Sequence, residues 1–216
     1  MTDDIHVTIY NAQGVAVSNT KTDSIQKQAM RNLEKNYSDL NNTMVVDMLN
    51  YGAEAQKNAG YNLDNLANSL LSEEQKAFAT ETVAFKNEMS FIGAGKYMAN
   101  VKMLSNIQFM MAFSGVDQTM KAVVTFTNWE GKEITKEIPG TEFVKNGGYY
   151  VIIIEETVIA DARQEINCKI VDTDGNMVAE VTDSIASYAD RTTKTTALYE
   201  AIMKFSDSAR AYLKTK

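Results

Sequence analysis

Histidine, cysteine, proline and tryptophan each occur once in this 216-residue chain. A lone cysteine, Cys168, rules out an intrachain disulfide and a cysteine-rich metal site. A lone histidine, His6, means that any Ser-His-Asp or Cys-His arrangement must use that residue. With one proline and 11 glycines, no Pro/Gly-rich stretch marks a domain boundary. No apolar run approaches the roughly 20 residues of a membrane-spanning helix. Met1-Thr2-Asp3-Asp4 lacks the basic and apolar regions of a signal peptide. The expectation is either a cytoplasmic protein or a segment cut from a longer exported chain. Basic residues are outnumbered, 21 to 28, for a net charge of −7. A nucleic-acid binder needs a basic surface to displace counterions, so DNA, RNA and anionic membranes are set aside as partners.

What is present is ordinary globular material, 44% hydrophobic and 23% charged. Ile5, Val7 and Ile9 alternate as one buried strand face. Asn11-Ala12-Gln13-Gly14 then turns the chain into Val15-Ala16-Val17, a hairpin. Asp23 reads as a helix N-cap, with Gln26 three residues on as in a capping box. Ile25, Ala29 and Leu33 make the helix's apolar face. Asp39 reads as the cap of a second helix ending at Gly60. After an Asn-rich connection, Ser72 and Gln75 open a third helix through Phe78 towards Phe85.

From about residue 103 the period becomes that of strands. Ile107, Phe109, Met111 and Phe113 share a face, as do Ala122, Val124 and Phe126. Turns are expected at Asn128–Gly131 and Asn146–Gly148. Tyr149 to Ile154 is apolar on both faces, the mark of a central strand. Short strands at this spacing suggest an Ig-like antiparallel sandwich.

The end of the chain repeats its beginning. Ile166-Asn167-Cys168-Lys169-Ile170 and the turn Asp172–Gly175 match Ile5–Ile9 and Asn11–Gly14 at an offset of 161. Asp183-Ser184-Ile185, Ala189 and Arg191 match Asp23-Ser24-Ile25, Ala29 and Arg31 at an offset of 160. Ile202-Met203-Lys204-Phe205 faces Met48-Leu49-Asn50-Tyr51 more loosely. Both copies read as hairpin, capped helix, loop and helix, the pattern of an internal duplication.

Two blocks carry a resemblance: Leu49-Asn50-Tyr51-Gly52-Ala53-Glu54-Ala55-Gln56, and Tyr61-Asn62-Leu63-Asp64-Asn65-Leu66-Ala67-Asn68. They resemble a module of large multidomain cell-surface and secreted proteins of gut Firmicutes, whose pattern runs "LNYGAAAQ" then "YNTDNLAN". The stretches Gly148–Val151 and Val181–Ala189 are also similar to that module. Glu54 departs from the pattern, as do Lys57-Asn58-Ala59, where an aromatic pair is usual. The resemblance spans roughly residues 5–215. It implies an extracellular or cell-surface accessory module beside neighbouring domains of a longer parent chain, and it brings no catalytic motif.

Candidate chemistry is thin. His6 is read as an exposed strand residue, and Cys168 as a buried small hydrophobe. Asp172-Thr173-Asp174-Gly175-Asn176 has its glycine too early for a calcium loop and fits a hairpin turn. Gly93-Ala94-Gly95-Lys96 lacks the Ser or Thr and the distant glycine of a phosphate loop. Glu155-Glu156 is a carboxylate pair better read as a solvated strand end. Trp129, at a hairpin tip, and Tyr149 and Tyr150, after a Gly-Gly turn, are the candidate ligand-binding residues. Exposed rings stack on sugars or anchor protein partners.

The expectation is therefore α+β: an Ig-like antiparallel region at 101–165, between hairpin and helix-pair copies at 5–60 and 166–216, with a helical connection at 61–100. All of it is read as one module, non-catalytic, with no cofactor and no metal. It binds a glycan or a host glycoprotein. The alternatives are a structural spacer without a ligand and, more distantly, a hydrolase.

Overall fold

The computed structural model describes residues 1–86, 88–103, 107–155, 157–192 and 196–216. Among these the chain is mixed α+β, with every strand pair antiparallel. It divides into two compact units: Met1–Thr82 with Ala211–Lys216, and Val83–Arg210. The division falls within the expected connecting segment at 61–100.

The first unit begins with a two-stranded hairpin, β1 (Ile5–Val7) and β2 (Lys21–Asp23), in which Ile5 lies opposite Asp23. Its tip is the expected turn, where Asn11 Oδ1 accepts from the amides of Gln13 and Val15. The alternation is present but burial is not: Ile5, Val7, Ile9, Val15 and Val17 are all exposed. The hairpin is a sheet of two strands with no facing layer among the described residues, so alternation alone cannot bury its face.

Helix α1 (Ile25–Lys35) is capped by Ser24, whose hydroxyl accepts the Lys27 amide at 3.1 Å. Asp23, expected as the cap, stands one residue too early. Its carboxylate accepts the Ser24 amide at 2.8 Å and pairs with Arg31. Gln26 does not close a capping box, because its side-chain amide reaches the carbonyls of Leu66 and Ala67. The opposite shift occurs at α2 (Asp39–Ala59), where Ser38, one residue before the expected Asp39, is the cap. Gly60 ends α2 at φ +62°, a left-handed conformation that favours glycine. The two helices meet over a core of Ala29, Leu33, Val45, Val46 and Leu49, closed by Ala67 and Leu71.

Helix α3 (Glu73–Lys76) does open with the Ser72–Gln75 capping box. It stops after one turn instead of reaching Phe85. Thr80 gives its amide and its hydroxyl to Asp47 on α2, at 3.0 and 2.6 Å, which draws the chain off the helical path.

Gln56 ties the two blocks of the family resemblance together. Its Oε1 accepts the Ala67 amide at 2.7 Å, and its Nε2 donates to the carbonyls of Asn65 and Asn62. Gly52 lies so close to this loop that a Cβ there would fall 2.9 Å from the Ala67 methyl and 2.5 Å from Met1 Sδ. Asn68 also reaches back to Asn50. The resembling residues thus fasten a loop to a helix.

The second unit holds two sheets. The five-stranded one has the order β3 (Ser90–Gly93), β11 (Met177–Asp183), β10 (Ile166–Val171), β6 (Lys121–Thr127), β7 (Glu133–Pro139). The four-stranded one has the order β4 (Tyr97–Met103), β5 (Ile107–Phe113), β9 (Tyr149–Ile154), β8 (Val144–Asn146). The expected alternations bury Phe109, Met111 and Phe113 in one sheet and Ala122, Val124 and Phe126 in the other. The sheets meet through Phe91 of β3, whose ring centroid lies 5.8 Å from Tyr97 and 6.4 Å from Phe113. The second hairpin, β10–β11, is built in: β10 pairs with β6 and β11 with β3. Its apolar residues Ile166, Cys168, Ile170 and Val181 are fully buried. It leads into α4 (Ile185–Arg191), capped by Ser184, and then α5 (Thr196–Leu213).

Candidate functional site

Side chains alternate along a strand, so β9 presents Ile152 and Ile154 inward and Val151 and Ile153 outward. The inward pair is fully buried, whereas the outward pair is half-buried. The same alternation on the other three strands makes the outward face of the four-stranded sheet apolar too. Register assembles it. Met98 lies opposite Ala112, Ala112 opposite Val151, and Val151 opposite Val144, a row crossing all four strands. A second row runs Asn100, Met110, Ile153. Directly opposed side chains lie about 5 Å apart, close enough to form one surface.

These rows floor a groove of about 590 Å³, with Tyr188 of α4 at one wall and Lys102 and Lys145 among the residues at its margin. Tyr188 packs edge-on against Tyr199, with ring centroids 5.7 Å apart. The Tyr188 hydroxyl donates to Asn100 at 3.4 Å. The ring is thus a fixed wall. Met98 and Met110 are the adaptable part of the floor, since an unbranched thioether fills irregular gaps. Among the described residues the lining contains no carboxylate, imidazole or thiol. It is suited to holding an apolar surface whose edge carries negative charge.

The expected site residues fall around this groove unevenly. Tyr149 shares the outward face with Val151 and Ile153 by alternation, whereas Tyr150 points with Ile152. Trp129 is elsewhere. It is half-buried in the β6–β7 turn, and its amide donates to Asp161 at 2.7 Å. Asp161 belongs to the short helix Ile159–Asp161 beyond the Ile154 end of β9, the end opposite Tyr149. The structure therefore does not unite Trp129 with the two tyrosines. Met98, Met110, Val144 and Tyr188 were not singled out in the sequence. The available signal was the run Tyr149–Ile154, apolar on both faces, which requires a cover on each side.

The other candidates resolve into structure. His6 is exposed on β1, where its Nδ1 is 2.9 Å from Thr22 Oγ1. Cys168 is fully enclosed, and burial pushes its thiol up to about 12. Asp172 accepts from Asn176 and Asp174 within its own turn, which lowers its carboxyl below the usual range. Gly95 packs on the Ser114 carbonyl, where a Cβ would come within 2.0 Å, so Gly93–Lys96 is a packed turn. Glu155 is exposed and accepts from Gln108 at 2.7 Å, while Glu156 lies outside the described residues. No group of three or more His, Cys, Asp or Glu side chains is placed to hold a metal among the described residues. No helix among them is long and apolar enough to cross a membrane.

No family model matches the chain, and no curated protein matches it. Among solved structures, chicken MD-1 complexed with lipid IVa is similar to 47% of this chain over 93% of its own length, at 16% identity and a TM-score of 0.27.

Proposed function

We propose that the chain is a non-catalytic binding module that takes a protein partner on the outward face of the β4-β5-β9-β8 sheet. One observation carries this reading: the sheet is apolar on both faces, and among the described residues the outward face is met only at one wall, by Tyr188. An uncovered apolar groove of this size on a monomeric surface marks an interaction site. The lining favours a protein over a glycan. Sugar recognition rests on exposed ring faces, and the rings here are not gathered: Trp129 is not among the groove's lining residues and Tyr188 is packed on Tyr199.

The same reading treats the second unit as an Ig-like antiparallel sandwich and the chain as an internal duplication. Supporting the duplication are Ser24 and Ser184, which cap equivalent helices at φ −143°, ψ 163° and φ −146°, ψ 164°. Arg31 and Arg191 then pair with Asp23 and Asp183 at the same spacing of eight residues. By resemblance, the module belongs on the outside of a bacterial cell, next to other domains of a longer parent chain.

The spacer alternative draws on a different observation. The resembling blocks at 49–56 and 61–68 fasten a loop to a helix rather than line a groove. Bead-bound full chain exposed to plasma and intestinal mucus separates the two readings. Binding predicts an enriched protein that is lost with Met98→Lys and kept with Trp129→Ala. Enrichment indifferent to Met98→Lys removes the groove from the account, and no enrichment at all favours the spacer.

A further inference from the structure

The two hairpins of the chain match in sequence and differ in fate. Ile166 is 1% exposed and its counterpart Ile5 is 59% exposed. Ile185, the first residue of α4, is likewise buried, whereas Ile25 of α1 is half exposed. Cys168 and Ile170 are sealed, and Val7 and Ile9 stand open. The second hairpin is sealed because an apolar sheet face lies over it, the inward face of β4-β5-β9-β8. The first hairpin keeps the same apolar pattern and has lost the cover. Ile5, Val7, Ile9, Val15 and Val17 form a patch on the order of 500 Å², within the range where exposed apolar surface marks contact.

That four-stranded sheet has a second apolar face, the groove described above, and among the described residues it too is left open beyond the Tyr188 wall. We infer that the first hairpin of one copy docks on the outward face of this sheet in a second copy, so that the sheet covers one hairpin on each side. The inference rests on the reading of the groove as a binding face.

The dimensions agree. Stacked sheets sit about 10 Å apart, and a hairpin about two strands wide fits across four strands spaced about 4.8 Å. The hairpin itself, from Ile5 to Asp23, is balanced, with Lys21 opposite Val7 and Asp23 opposite Ile5, and the two carboxylates Asp3 and Asp4 stand just before it. Asp4 is paired with Lys27, and Asp3 accepts from the Tyr61 hydroxyl at 2.7 Å. The groove has Lys102 on its outward face and, among the described residues, no acidic lining. Donor and acceptor are different surfaces, so the contact is head-to-tail, and copies add into an open chain or a closed ring.

The test needs only full-length chain and sedimentation velocity. Wild type is expected to grow with concentration into multiples of the 24.0 kDa chain. Val7→Lys, which spoils the donor, and Met98→Lys, which spoils the acceptor, each stay at one chain mass. Both positions are about half exposed, so the fold should tolerate them, and Ile9→Lys and Val144→Lys replace either variant that fails to fold. Mixed in equal amounts, the two variants should form one species at twice the chain mass. The intact groove of one then meets the intact hairpin of the other, and further growth is blocked. The inference is overturned if wild type stays at one chain mass at every concentration, if either variant alone still assembles, or if the mixture stays monomeric while wild type assembles. Bead capture that persists in Val7→Lys while wild type remains monomeric would assign the groove to a foreign protein. In that case the binding reading stands and the self-assembly falls. Capture that is insensitive to Met98→Lys would sink the binding reading itself.

Discussion

Arg191 grips Asp183 through two nitrogens, Nη2 at 2.6 Å from Oδ2 and Nη1 at 3.1 Å from Oδ1. The carboxylate has no exposed surface and is filled on its remaining sides by the Tyr97 hydroxyl at 2.7 Å and the Ser184 amide at 2.8 Å. This cluster joins the end of β11 to β4 on the opposite sheet and to α4. The matching pair in the first unit, Asp23 and Arg31, is about half exposed on both sides. The same residues at the same spacing are thus a buried tie in one unit and a surface contact in the other.

Asp183→Ala should therefore destabilise the second unit by about 3–5 kcal/mol, the usual cost of leaving one buried charge unpaired. Asp23→Ala should leave the unfolding midpoint nearly unchanged, since solvent screens an exposed pair. Urea unfolding of both variants checks this. Equal effects would mean that the two pairs have equivalent surroundings, which the burial denies.

Tyr97 adds a smaller share. Burial first, then the neighbouring Asp183 carboxylate, holds its phenol protonated well above the usual tyrosine range. Tyr97→Phe keeps the ring contacts with Phe91 and Phe113 and removes only the donor to Asp183. The expected loss is about 1–3 kcal/mol, because the acceptor is charged and buried. A phenylalanine variant as stable as wild type would show that the hydroxyl makes no net contribution.

Gln56→Ala should loosen the loop from residue 61 to 68, where one side chain satisfies the Ala67 amide and two carbonyls. Three backbone groups lose a partner at once, for an expected cost of about 2–4 kcal/mol. Amide exchange at Ala67 should speed up before exchange in α2 does. Uniform acceleration across both would assign Gln56 to the helix core instead of the loop.

Legibility followed the range of the interaction. Turns and alternations were readable because neighbouring residues decide them: Gly60 ended α2, the Asn128–Gly131 turn formed, and Phe109, Met111 and Phe113 faced inward. Helix caps were each misplaced by one residue, Asp23 one too early and Asp39 one too late. Asp23-Ser24 and Ser38-Asp39 each offer two capping oxygens, and only backbone geometry selects the serine. Helix α3 was read too long because the competing bond from Thr80 to Asp47 spans 33 residues. Burial of the first hairpin was misjudged for a deeper reason. A period-2 pattern records which face is apolar and not whether anything lies over it. The groove was half legible: the doubly apolar run Tyr149–Ile154 announced it, but its other walls come from β4, β5, β8 and α4, which only the register brings together.

Cys168 should be chemically silent in the native chain. Its thiol is sealed between β6 and β11 and raised to about 12 by burial, so the reactive thiolate is scarce at any ordinary pH. An aromatic disulfide reagent at pH 8 should label it only at the rate of global unfolding and stoichiometrically once urea has unfolded the chain. The linkage has a definite sign. The folded state holds the proton more tightly than the unfolded state, whose thiol titrates near 9.0. The stability tied to this proton is complete below pH 9 and is lost as pH rises from there towards 12. Cys168→Ser keeps the size but brings a hydroxyl into an apolar site, so it should destabilise the fold. Cys168→Ala should cost less and flatten the alkaline decline, a difference that urea midpoints at pH 7 and pH 10 will register. Rapid labelling of native wild type at pH 8 would mean that the β10–β11 hairpin opens far more readily than its burial allows.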